Sequence, residues 1–489
     1  MIGNLVRLAL MFVINIFLAR ALGPSTFGDY NFLLNSFLGI RALMDLGTGS
    51  AMLTFLSKKK RGRSFYVHYG SWLVLQLVTA LTLIYFLPDT MRDRFWLNQP
   101  FHLVLAACIT SFLMNQIWET TTNIGEAIRD TFRIQIRNIL VGSIFLLSLF
   151  VLNMYGALSI FTALVAASLC YGVMASLYFL LVYPLALDRQ TKETFTNLNS
   201  QYFNFCPPLA LIGIVSFIYV FTENWMLNNF AGSIEQGYFS IGYKFSTVAL
   251  LATNAILKVF WKEVAEAQEN GLDERISHLY LRTCRFLYSS AAFVGCFGLV
   301  YAKDLIRQFL GPTYSNAVMP FSILLLIPMH QALGQLVNAY LQASGQVKSL
   351  RNISILGMLF SLPACYLALA PESFFVPGFN GGAAGYALKI FITQLFTVNL
   401  FLFVASKKGV PFFSWLEQIF ITLILICCAF LAKYLGSMLL LSFESVGFMV
   451  EFVCGGILYI ILSLIMAFSF PERLGFDSNW FGLKNRGRS

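Results

Sequence analysis

The sequence predicts an all-α integral membrane protein with about 14 transmembrane helices. Three observations carry this reading. Only 11% of the 489 residues are charged and 58% are hydrophobic, whereas soluble chains carry roughly 25% charged residues. Apolar stretches close to the ~20 residues that cross a bilayer recur along the whole chain. The basic residues between them alternate in sidedness. With the N-terminus on the first side, that side collects 23 Lys and Arg and the other side 4. Under the positive-inside rule the rich side is cytoplasmic. A multi-pass protein of the cytoplasmic (inner) membrane is therefore expected, with both termini cytoplasmic and an even number of spans.

The spans read as 4–22, 30–56, 69–87, 101–121, 136–153, 160–186, 206–230, 238–261, 284–301, 317–342, 352–370, 383–404, 413–436 and 447–469. The first begins just before Arg7, and Ala19-Arg20-Ala21 imitates a signal cleavage site. The spans that follow favour an uncleaved helix. Span two ends in Lys58, Lys59, Lys60, Arg61 and Arg63, read as a cytoplasmic anchor. Spans three and four flank an outer joint with Arg92 and Arg94, and the next joint holds Arg129, Arg133 and Arg137. Arg189 and Lys192 follow span six, and Pro207-Pro208 opens span seven. The polar stretch 262–285 reads as a surface helix. Lys303 and Arg307 lie outside after span nine. Lys348 and Arg351, then Lys407 and Lys408, then Arg473, Lys484, Arg486 and Arg488 complete the inner side.

The chain also repeats itself. "GPSTFGDYNFLLN" from Gly23 follows span one, and "GSIEQGYFSIGYKF" from Gly232 follows span seven. At an offset of 209, Gly23 and Gly28 meet Gly232 and Gly237, Asn35 meets Lys244, and Asp45 meets Asn254. "GEAIRDTFRIQIRN" from Gly125 parallels "GQVKSLRN" from Gly345. Two six-helix lobes related by a pseudo-twofold axis normal to the membrane are expected, plus two extra helices. The lobes are drawn at 1–186 and 206–404, with a cytoplasmic linker at 187–205 and the last helices and tail at 405–489.

Several chemistries find no support in the sequence. There is no G-x-x-x-x-G-K-[ST] loop and no H-E-x-x-H. The nine cysteines are scattered without a C-x-x-C pair, so neither a disulfide framework nor a zinc site is expected. The net charge of +10 is accounted for by membrane sidedness, without nucleic acid.

Three stretches carry a resemblance. "LARALGPSTFGDYNFLLN" is similar to the first joint of polysaccharide transporters. "LGPTYSNAVMPFSILLLIPMHQALGQLVNAYLQASGQVKSLRN" resembles their ninth joint and tenth helix, and "GFNGGAAGYALKIFITQLF" the entry to the twelfth. Together they span most of residues 1–405. The chain resembles the Wzx-like O-antigen and capsule flippases, within the multidrug/oligosaccharidyl-lipid/polysaccharide exporter (MOP) superfamily. The resemblance implies two lobes around a central cavity, alternating access, and export of a polyprenyl-pyrophosphate-linked oligosaccharide for surface polysaccharide. It implies no enzyme activity and no cofactor beyond an H+ or Na+ gradient. A polysaccharide polymerase and chain-length machinery are the implied partners. The family often places aspartate in helix seven, where this chain has Glu223, the candidate for ion coupling.

Charge at membrane depth is costly, at least about 2.5–3.5 kcal/mol by insertion scales, so such residues usually face an interior or water. Arg41 lies roughly 16 Å into span two, near the midplane. Asp45, one turn on, is positioned to neutralise it as an i,i+4 pair. The functional alternative is a cavity guanidinium that meets phosphate, which its planar fork matches. Glu223 and Lys244 are expected at similar depth near the outer ends of spans seven and eight, where they could pair. Lys389 in span twelve is a candidate cationic cavity wall. Glu119 and Lys258, near cytoplasmic ends, are expected to snorkel. Competing readings are a lipid II or multidrug exporter of the same superfamily, or an integral-membrane polymerase or glycosyltransferase.

Overall fold

The computed structural model describes residues 2–191, 193–407, 410, 416–440 and 447–474. Lys192, Lys408, Lys484, Arg486, Arg488 and Ser489 lie outside the described residues, as do the side chains of Asn254 and Lys258. Among the described residues the chain is helical, and its one strand-like feature is an isolated bridge between Arg61 and Leu187. It forms two compact units, Met1–Gly237 with Leu369–Asn380, and Tyr238–Ala368 with Gly381–Ser489. The lobe boundaries drawn from the sequence follow the repeat; these units follow contact, and the two partitions differ.

Unit 1 runs through α1 (Ile2–Asp45), α2 (Thr48–Lys58), α3 (Arg63–Phe86), α4 (Asp89–Phe95) and α5 (Phe101–Ser111). After a π-helical turn at Phe112–Ile117 come α6 (Trp118–Ala127), α7 (Thr131–Met154), α8 (Ile160–Ala186), α9 (Phe195–Phe205) and α10 (Pro207–Met226). A second π-helical turn, Leu227–Ala231, leads into α11 (Gly232–Ser246), where the unit ends. Local chemistry sets several starts. Ser159 and Thr162 form a reciprocal capping box at α8, Thr194 caps α9, and Pro207 occupies the first turn of α10 where a missing N–H costs nothing. The end of the unit that carries Arg61 closes over Phe65, Tyr69, Tyr178 and Tyr202.

Unit 2 continues through α12 (Leu251–Glu269), α13 (Asp273–Val300), α14 (Ala302–Phe309), α15 (Val318–Ala343), α16 (Val347–Leu369), α17 (Gly382–Ser406), α18 (Leu416–Leu440) and α19 (Phe448–Ser469). α15 is its central helix, with 61% of its apolar window buried. The extra pair α18 and α19 packs on α13. Arg285 pairs with Glu417 at 2.7 Å, Lys433 with Asp304 at 2.5 Å, and the Tyr459 hydroxyl donates to the Phe293 carbonyl at 3.0 Å.

Among the described residues, 12 helical stretches are long and apolar enough to cross a membrane. Two of them, Val6–Asp45 and Pro207–Leu250, are 40 and 44 residues, about twice a bilayer's need. Each contains one glycine in a backbone conformation closed to other residues: Gly23 (φ 75°, ψ 168°) and Gly232 (φ 85°, ψ 170°). Divided there, the two double-length stretches bring the total to the 14 spans read from the sequence.

The repeat is visible in the contacts. A Cβ on Gly28 would sit 1.8 Å from the Ser233 carbonyl oxygen, and one on Gly237 would sit 2.1 Å from the Pro24 carbonyl oxygen. Pro24 and Ser233 are themselves 209 residues apart, as are Gly28 and Gly237, so the two contacts exchange under the repeat. The later match needs a shift of four. Asp130 N–H donates to Gly125 O and Arg129 N–H to Glu126 O, while Gln346 N–H donates to Leu341 O and Gly345 N–H to Gln342 O. These are the same helix-ending motif. It equates Gly345 with Arg129 rather than with Gly125.

One further expectation is corrected. The stretch 262–285 is not a separate surface helix: α12 continues to Glu269, turns at Gly271, and α13 starts at Asp273. Good helix formers without a breaker extend both spans past the apolar zone, and the Arg275–Glu263 pair at 2.9 Å ties the hairpin. Arg61, in the basic run 58–63, is held by protein instead of facing water. It is 4% exposed, bonded to Glu193 at 2.6 Å and Gln201 at 3.2 Å, with the Phe55 and Phe65 rings each 5.3 Å from its guanidinium carbon. The segment after span six folds back onto it, and Asp188 N–H donates to the Arg61 carbonyl.

Candidate functional site

Two irregular stretches of backbone meet in unit 1. α1 ends at Asp45, where Leu46 (φ 48°) and Gly47 (φ 82°) break the second span before α2 resumes it. Facing it, the fourth span carries the π-helical turn Phe112–Ile117 between α5 and α6. Such interruptions at membrane depth survive only where side chains or water satisfy the freed backbone. They also frequently mark functional sites.

Arg41 lies at this junction. Its Nε donates to Gln116 Oε1 and its Nη2 to Glu119 Oε2, both at 2.6 Å. Gln116, 2% exposed, donates from Nε2 to Asp45 Oδ1 at 3.0 Å. Asp45 in turn accepts from the Gly49 N–H and the Thr48 hydroxyl, each at 3.1 Å, so its carboxylate caps α2. Trp72 Nε1 donates to Thr48 Oγ1, and Gln76 Nε2 to the Met44 carbonyl. A cavity of about 30 Å³, bordered by Arg41, Gln76 and Phe112, opens beside the guanidinium.

This arrangement corrects the expected i,i+4 pair. Asp45 does not neutralise Arg41 directly, because the helix ends at Asp45 and its carboxylate is turned to the next N-terminus. The partner is Glu119, 78 residues away in sequence. Glu119 therefore does not snorkel to water alone. Its side chain is 52% exposed and that of Arg41 23%. The pair is thus only partly buried by protein. Gln116 holds the guanidinium in place. Gln116 does not stand out in the sequence, and Glu119 reads there only as a snorkelling residue, since the π-helical turn that aligns the two has no composition signature.

The other expected residues lie elsewhere. Glu223 is 3% exposed, in α10 of unit 1. Beside it Asn224 donates to Phe32 O at 3.0 Å and accepts from the Gln236 amide at 2.9 Å, and Asp29 accepts from the Ser233 hydroxyl at 2.5 Å. Lys244 is part-exposed and belongs to unit 2. Lys389, also in unit 2, is 4% exposed, with its Nζ 5.3 Å from the centre of the Tyr386 ring. Arg41 and Asp45 share one network. Among the described residues no group of three or more His, Cys, Asp or Glu could hold a metal.

No protein-family model matches the chain, and no curated protein resembles it in sequence. Solved structures do resemble it. A lipid II flippase, MurJ, in an inward closed conformation superposes with a TM-score of 0.71 at 14% identity, over 96% of this chain and 99% of that one. The chain has the fold of the MOP transporters. An inward-facing multidrug resistance MATE transporter of the MOP superfamily gives a TM-score of 0.62 at 15% identity, over 82% of this chain and 95% of that one. A MOP superfamily transporter from Pyrococcus furiosus, described as having a binding pocket of reversed polarity, gives 0.54 at 14% identity, over 84% and 94%. The chain is thus a multi-pass membrane protein of this architecture. Its coverage of MurJ extends over regions that the MATE superpositions leave out.

Proposed function

We propose that this chain is a flippase: it carries a polyprenyl-pyrophosphate-linked oligosaccharide across the cytoplasmic membrane for surface polysaccharide synthesis. The observation that carries the proposal is Arg41, a partly exposed guanidinium where two broken helices meet, held by a neutral amide and a half-exposed carboxylate. A pyrophosphate can take the place of Glu119, because guanidinium matches paired phosphate oxygens. Glu119 then restores neutrality once the cargo leaves. Each charge moved across 100 mV of potential supplies about 2.3 kcal/mol, enough to bias a two-state carrier. Glu223 is the proposed ion-coupling carboxylate, driven by H+ or Na+. Lys244 and Lys389 are proposed cargo-contacting cations. A polymerase and chain-length machinery are the proposed partners, and no catalytic role is assigned to any residue.

Lipid II is a second reading of the cargo, favoured by the near-complete match in length to MurJ. A multidrug reading has less support, because it leaves a membrane-depth arginine without a purpose. Proteoliposomes holding the purified chain test the proposal. Polyprenyl-diphosphate oligosaccharide, lipid II and a cationic dye are each loaded on one leaflet, and arrival on the other is followed under an imposed gradient. Transfer of the oligosaccharide carrier supports the first reading, transfer of lipid II alone the second, and transfer of neither lipid rejects both.

A further inference from the structure

A cavity of about 550 Å³ opens at the basic end of unit 1, apart from the Arg41 network. Its floor is apolar, formed by Leu56 of α2, Ile124 and Ile128 at the end of α6, and Leu185 of α8. Its rim is cationic: Lys59 and Lys60 follow α2, Arg129 sits in the α6–α7 turn, and Arg133 lies in the first turn of α7. One carboxylate, Asp130, also lines it, 3.8 Å from Arg133. Lys59 stands 3.7 Å from Glu193, while among the described residues no carboxylate forms an ion pair with Lys60 or Arg129. Four cations and one carboxylate line the cavity, with Glu193 near Lys59 and Asp188 acting on Lys60 from outside it; this cationic excess above an oily floor suits a ligand with an anionic head and a hydrocarbon tail.

The backbone adds an independent observation. Arg129 occupies the left-handed position of the motif that ends α6, with φ 63°. The repeat fills the same position with Gly345, φ 71°, where no side chain is strained. An arginine there is unfavourable for a left-handed residue. Its side chain is nevertheless set on the rim of the cavity, as strain at a binding site typically is.

We infer that this cavity binds the phosphate head of an anionic lipid, with the acyl or prenyl chain lying along Leu56 and Leu185. Basic pockets between membrane helices on the positive side hold such heads. The site is separate from Arg41. Phosphate esters reach it from two sources, a resident glycerophospholipid or a polyprenyl diphosphate, which share the recognised chemistry.

Native mass spectrometry of the full-length chain in detergent, titrated with phosphatidylglycerol, farnesyl diphosphate or phosphatidylcholine, tests this. Wild-type protein is expected to retain phosphatidylglycerol, farnesyl diphosphate or both in preference to phosphatidylcholine. The preferred one identifies the source. Arg129→Gly is the decisive variant, because glycine relieves the backbone. It should melt no lower than wild type yet bind the anionic lipid about fivefold more weakly. Lys60→Ala should weaken binding similarly, and Gly70→Ala, which lies outside the cavity, should not. Equal retention of phosphatidylcholine and the anionic lipids, or unchanged binding by stably folded Arg129→Gly, would overturn the inference.

Discussion

Arg61→Ala is expected to release the segment that follows span six. The arginine is buried between two phenylalanine rings, and it provides the 2.6 Å contact to Glu193. Glu193 is itself buried, its side chain 6% exposed, and its Oε2 has no hydrogen-bond partner among the described residues. Removing one member of such a pair leaves an uncompensated charge and costs about 3–5 kcal/mol. Lys59, 3.7 Å from the same carboxylate, offers partial compensation and points to the lower end. About 3 kcal/mol raises the detached population of residues 187–205 roughly a hundredfold. Limited proteolysis reads this directly, since cleavage tracks the opened fraction when opening is fast. Arg61→Ala should be cut in this segment far faster than wild type. The double variant Arg61→Met with Glu193→Leu should return close to wild-type resistance, because an apolar pair needs no compensation. Wild-type resistance in the single variant would refute the reasoning, and so would failure of the double variant to recover while Arg61→Ala alone is cut.

Gly28→Ala should lower the melting temperature, because its Cβ falls 1.8 Å from the Ser233 carbonyl, and overpacking of this kind costs about 1–3 kcal/mol or more. Gly70→Ala, with open space around it, is the control and should melt like wild type. Asp188, outside the spans, accepts from the Thr191 hydroxyl and the Gln190 N–H, which hold its carboxyl below the ordinary 3.8. A lowered folded value contributes stability above the unfolded pKa and loses it as pH falls through the folded one. Cleavage near residues 188–191 by an acid-active protease should thus rise below about pH 4, and Asp188→Asn should remove that pH dependence. For sidedness, single cysteines at Lys58 and Phe379 in a cysteine-free background should react from opposite faces with an impermeant reagent. Position 62 is unsuitable because a Cβ there lies 2.0 Å from the Thr191 carbonyl. Labelling of both positions from outside intact cells would reject the assigned topology.

What the sequence conveyed follows from what is periodic. Span length, the spacing of basic joints and the offset between Gly23 and Gly232 are local patterns, and the same positions reappear as helix breaks. Contacts distant in sequence were not legible. Arg61 reads like its four basic neighbours, and only the returning segment with Glu193 makes it a buried anchor. Arg41 pairs with Asp45 only if span two is one continuous helix. The break at Leu46 and Gly47 turns Asp45 away, and the π-helical turn brings Gln116 and Glu119 instead. The α12–α13 hairpin is not legible from polarity, because polarity ends a helix's contact with lipid and not the helix itself.

The account rests on Arg41 as the group that receives the anionic head of the cargo. The most direct measurement is transfer of polyprenyl-diphosphate oligosaccharide between leaflets of proteoliposomes containing wild type, Arg41→Ala, Arg41→Lys or Glu119→Gln, each matched for folded protein. Arg41→Ala should lose at least about tenfold in rate, since one charged hydrogen bond is worth about 1.5–3 kcal/mol. Arg41→Lys should retain part of the rate, because charge survives and the planar fork does not. Glu119→Gln should bind cargo more tightly but turn over more slowly, since nothing then displaces the phosphate. Wild-type transfer by folded Arg41→Ala would contradict the account, as would full rescue of Arg41→Ala by Glu119→Gln, which would leave the two residues only neutralising each other.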